Sequence, residues 1–75
     1  MTHLDVVFRY GTPPAEREMR AVDSIKEVYG IRRVVFQEKD RTVRVEFDAS
    51  RLSEAAVASL LRRAGVDLGE KVQLV

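Results

Sequence analysis

The stretch Gly11-Thr12-Pro13-Pro14-Ala15-Glu16-Arg17-Glu18-Met19-Arg20-Ala21-Val22-Asp23-Ser24-Ile25-Lys26-Glu27-Val28-Tyr29-Gly30-Ile31 joins a strand to a helix and the helix to a second strand. Met19, Val22, Ile25, Val28 and Tyr29 recur three and four residues apart, which predicts one apolar stripe on a helix, with Met19 filling a gap in the core. Thr12 is placed to cap that helix, with Pro13 at its first position, and Glu16 and Glu18 suit the positive end of its dipole. Gly30 is read as the left-handed residue that ends it.

Outward from this stretch the period changes to two. Leu4, Val6, Phe8 and Tyr10 alternate with His3, Asp5, Val7 and Arg9, so residues 3–10 read as a strand with one apolar face. On the other side, Val34 and Phe36 alternate with Arg33, Val35 and Gln37, and after the polar turn Lys39-Asp40-Arg41 the strand Thr42 to Asp48 turns Val43, Val45 and Phe47 inward. Ser53 is placed to cap a second helix, with Leu52 and Val57 spaced as a hydrophobic staple. Ala56, Val57, Leu60, Leu61 and Ala64 are its expected buried stripe, Arg62 and Arg63 suit its C-terminal end, and Gly65 closes it. Val72 and Leu74 alternate with Lys71 and Gln73 in a short last strand. The order β-α-β-β-α-β predicts an α+β, ferredoxin-like sandwich: two helices on one face of a four-stranded antiparallel sheet, the other face open.

Composition narrows the chemistry. A chain of 75 residues is expected to form a single domain, residues 1–75, with a modest core. Thirteen basic and twelve acidic residues leave a net charge of +1, so no global field draws it to nucleic acid or a membrane. With no cysteine, thiolate nucleophiles and thiolate metal sites are absent. No apolar run approaches the ~20 residues that span a bilayer, nor does the start resemble a secretory signal; the expectation is a soluble cytoplasmic protein.

Gly11-Thr12-Pro13-Pro14-Ala15-Glu16-Arg17, Gly30-Ile31, Val43-Arg44-Val45-Glu46-Phe47-Asp48 and Ala64-Gly65-Val66 together resemble the heavy-metal-associated domain, the family of copper chaperones and of the N-terminal modules of metal-pumping ATPases. The resemblance covers nearly the whole chain and implies the same fold. The family's pattern after the first strand is Gly-Met-x-Cys-x-x-Cys. Here Thr12 stands at the Met, Pro14 at the first Cys and Arg17 at the second. Proline carries no side-chain ligand and arginine is a permanent cation, whereas Cu(I) wants thiolate or thioether and Zn(II) thiolate or imidazole. The expectation is therefore a degenerate member with no metal site and no cofactor. Metal-associated domains meet partners through this end of the molecule. The resemblance implies a protein-docking loop of Gly11, Thr12, Pro13, Pro14, Glu16, Arg17 and Arg20, stiffened by its prolines.

Other sites read as structural. His3, the only histidine, has Met1, Asp5 and the terminal amine as its near neighbours, and is read as a polar residue on the open sheet face; metal held by His3 and a methionine across a dimer is the alternative. Glu16 and Glu18 lie two apart on a helix and form no dyad, so no catalysis is expected. RNA-recognition motifs share this topology but stack bases on open-face aromatics, and Phe8, Phe36 and Phe47 are in phase with the core. An amino-acid-sensing domain of the ACT type, binding at Gly11, is a further alternative. The second strand, Ile31 to Glu38, is expected at an exposed edge where a weak homodimer could form, with Arg32, Arg33 and Glu38 guarding it.

Overall fold

Alternating side chains commit the chain to strands wherever one face is to be buried, and the computed structural model, which describes residues 2–74 with side chains through Val72, shows how they assemble. The elements are β1 (His3–Tyr10), α1 (Glu16–Ile25), β2 (Ile31–Gln37), β3 (Thr42–Asp48), α2 (Glu54–Arg63) and β4 (Leu68–Leu74). All neighbouring strands are antiparallel and the sheet order is β2-β3-β1-β4, so the chain is a ferredoxin-like α+β sandwich as expected. Val6, Phe8, Val43, Val45 and Phe47 of the sheet meet Val22 and Ile25 of α1 and Val57 and Leu61 of α2 in one buried cluster. Burying side chains of this size stabilises by about 1.5–3 kcal/mol each, offset by chain entropy.

The β2–β3 hairpin and α2 fall where the period placed them. The Ser53 hydroxyl accepts the Ala56 N–H at 3.1 Å, and Leu52 packs against the core beside Val57. Gly30 and Gly65 both take positive φ (106° and 96°), where a side chain would strain the backbone. Within α2 the buried face is Val57, Ala58 and Leu61, with Ala56, Leu60 and Ala64 only partly covered.

Five expectations are corrected. Helix α1 starts at Glu16, capped by Ala15 rather than Thr12, because Pro14 keeps Pro13 out of helical geometry and has no N–H for a cap at Thr12 to hold. It ends at Ile25 rather than running to Tyr29; a turn carries the chain from there to Gly30. Tyr29 accordingly leaves the stripe and is 72% exposed, with the Arg51 guanidinium 4.3 Å over its ring. Met19, one turn into the helix, is 36% exposed and fills no core gap.

The last correction concerns β4. Its pairing with β1 is interrupted by register shifts on both sides of Phe8, which set Lys71 opposite Phe8. Lys71 therefore lies on the helix side and reaches Glu54 of α2 at 3.2 Å, while Val72 joins Val7 on the open face, 45% exposed. The expectations for Met1 and for the Leu74 side chain fall outside the described residues. Among the described residues no helix is long and apolar enough to cross a membrane.

Candidate functional site

The loop from Gly11 to Ala15 is fastened from two directions. From the α2–β4 turn, Asp67 accepts twice: its carbonyl from the Gly11 N–H (3.0 Å) and its Oδ2 from the Thr12 N–H (3.0 Å). From the β2–β3 turn, the Arg41 carbonyl accepts the Tyr10 N–H at 3.0 Å and the Arg41 guanidinium lies 3.5 Å from the Gly11 carbonyl. Gly11 is required by this clamp, since a Cβ there would stand 2.5 Å from Asp67 Oδ2. Beyond it, the prolines restrict the chain, and the Ala15 N–H finds the Glu18 carboxylate at 2.9 Å. That is half of a capping box; alanine supplies no oxygen for the other half.

The residues expected to dock a partner are thus brought together at one end of β1 and at the start of α1. Thr12, Pro13, Glu16, Arg17 and Arg20 are exposed and Pro14 is half-buried. Glu16 and Arg20 pair at 2.6 Å one helical turn apart. Arg17 has no ion pair among the described residues. The surface therefore offers a neutralised pair, one open cation and a stiff apolar turn. The donor set holds no thiolate or imidazole, the groups that soft and borderline metals prefer; the Thr12 hydroxyl is a hard, weak donor and the Glu16 carboxylate is paired with Arg20. Among the described residues no three of His, Cys, Asp and Glu converge on a common point.

At the opposite end of β1, His3 stands across from Asp48 in register, exposed to solvent. Asp48 is buried, yet its Oδ1 accepts from the Ser50 N–H (3.0 Å) and the Ser50 hydroxyl (2.6 Å). Those bonds, with smaller help from the charges of His3 and Arg51, hold its carboxyl below the usual carboxylate range against the opposing effect of burial. The cluster closes the turn from β3 into α2. Its signal in the sequence is Asp48-Ala49-Ser50, an aspartate whose side chain can bond the backbone two residues on. Asp67, by contrast, is fifty-five residues from Thr12 and carries no local signature.

The open sheet face carries Val7, Val35 and Val72 among charges of both signs, some of them paired. Arg44 lies 3.7 Å from Asp5, and Arg32 3.4 Å from Glu46. Val7, though on this face, is only 6% exposed, in a groove with Arg9, Arg44 and Val72. Phe8 and Phe47 are buried on the helix side, and Phe36 meets Tyr10 edge-on at 5.6 Å, so the described open face has no aromatic platform.

No protein-family model matches this chain, and no curated protein or solved structure matches it either.

Proposed function

We propose that this chain is a small cytoplasmic protein-interaction module, related in design to the heavy-metal-associated domain but without its metal site, and that it docks a protein partner through Gly11, Thr12, Pro13, Pro14, Glu16, Arg17 and Arg20. The observation that carries the reading is the double clamp on Gly11 and Thr12, which ties an exposed loop to Asp67 on one side and Arg41 on the other. A loop fixed before binding loses little entropy on docking. The ligand positions implied by the resemblance support the second half of the reading: Pro14 and Arg17 offer no atom to a metal. The reading includes no catalysis, since the chain has no cysteine and its one histidine, His3, lies at the far end of β1 from the loop. RNA has little, because the phenylalanines belong to the core.

The test has two arms. Amide spectra are titrated with Cu(I) under reducing conditions, and separately with Zn(II). Unchanged resonances for Gly11 to Arg17 and for His3 are expected at stoichiometric metal, and saturable shifts there would overturn the metal-free reading. In the second arm a photo-crosslinking residue replaces Thr12, and in a control replaces Ser59 on exposed α2. A discrete adduct is expected from the Thr12 position alone, lost with Arg17→Glu. Equal adducts from both positions would overturn the docking loop.

A further inference from the structure

Strand β2 lies at the edge of the sheet, and among the described residues nothing pairs with its outer side. Which of its backbone groups face outward follows from hydrogen bonds around β3. The Asp48 N–H donates to Gly30 and the Ala49 N–H to Thr2, each at 2.7 Å, so even-numbered residues of β3 direct their backbone toward β2 and odd-numbered ones toward β1. The bond from Tyr10 N–H to the Arg41 carbonyl agrees. Thr42, Arg44 and Glu46 stand opposite Gln37, Val35 and Arg33. Those β2 residues therefore bond inward, and Val34 and Phe36 present their N–H and C=O groups at the free edge. A shift between Ile31 and Arg33 places a bulge at Arg32, and the turn begins at Glu38. The regular ladder between them is centred on Val35.

We infer that β2 pairs antiparallel with β2 of a second copy of this chain, about a two-fold axis through Val35. In this register Val34 exchanges both backbone bonds with Phe36 of the second copy, and the axis repeats the exchange. Val35 faces itself on the open side, where it is 37% exposed. Arg33 meets the neutral Gln37, and Arg32 lies across from Glu38, opposite in charge. Other registers are worse. Odd shifts set outward groups against inward ones. Centring on Val34 draws the bulged Arg32 into the ladder. Centring on Phe36 sets Arg33 against Lys39, like charges face to face, and pulls Glu38 out of its turn. Edge pairing of this kind buries little surface, so the dimer is a weak one that forms at high protein concentration.

The chain has no cysteine, so single cysteines report the register directly. Val35→Cys places two Cα atoms about 4.5 Å apart across a non-hydrogen-bonded pair, within disulfide reach. Arg33→Cys leaves its sulfurs on Cα atoms about 13 Å apart, beyond reach. In a glutathione buffer, with native amide spectra confirming both folds, Val35→Cys is expected to form the disulfide dimer at least about 10-fold faster than Arg33→Cys. Equal rates, or a faster Arg33→Cys, would overturn the register. On dilution of the wild-type chain from millimolar concentration, shifts are expected at the Val34 and Phe36 amides. Shifts centred on Val7 and Val72 instead, or none at all, would overturn edge pairing.

Discussion

Gly11 and Asp67 form a unit, because the space a Cβ would need is filled by the carboxylate that holds Thr12. Asp67→Ala is expected to cost about 1 kcal/mol in urea unfolding, the worth of an exposed hydrogen bond to a charged acceptor. Gly11→Ala is expected to cost a similar amount in the wild-type chain and distinctly less when Asp67 is already alanine, since the clash is then gone. Additive effects in that double-mutant cycle would show that the two residues do not interact. Asp48 makes a prediction about pH. Its folded-state carboxyl titrates below its unfolded value, so the stability it contributes is present above the unfolded value near 3.8 and is lost as pH falls through the lower, folded one. Ser50→Ala removes the main cause. The variant is expected to be less stable than wild type at neutral pH, with the gap closing in acid, and with the Asp48 carboxyl resonance titrating at higher pH.

The two helices differ most at their starts. Ser53 caps α2 with its own hydroxyl, and Ser53→Ala is expected to lower stability by about 1 kcal/mol. Ala15 caps α1 in extended geometry (φ −82°, ψ 179°) with no side-chain oxygen, while Glu18 already returns to its N–H. Ala15→Ser would complete the box and is expected to raise stability by about 0.5–1 kcal/mol; an unchanged or lower unfolding midpoint would mean that the hydroxyl does not reach the Glu18 amide. The same comparison explains what was legible. At Ser53 the cap, the staple and the apolar stripe all agree, and the start of α2 is read from neighbours in sequence. At Thr12 the hydroxyl and the following Pro13 resemble a helix start, but the second proline, Pro14, keeps Pro13 out of helical geometry and the helix waits until Glu16.

For the molecule as a whole, stability rests on one small core. A domain of this length is held by about 4–11 kcal/mol. Leu61, fully buried between helix and sheet, is expected to lose about 2–5 kcal/mol on truncation to alanine, enough to take much of that margin, as chemical denaturation would show. Tyr29, a larger side chain, is exposed beside Arg51, and its truncation should cost less than about 1 kcal/mol.

The sequence by itself determined the order of elements, the hairpin with Val43, Val45 and Phe47 inward, and the cap of α2, because each depends on groups within a few residues of one another. It also determined that the first loop holds no thiolate or imidazole. The tertiary structure alone decided that Asp67 holds the first loop, that Tyr29 faces solvent, and that Lys71 rather than Val72 lies on the helix side. Each of these is fixed by a partner distant in sequence or by a bulge in a ladder. Periodicity along the chain carries no information about which distant group arrives to take an amide, or where a ladder slips by a residue.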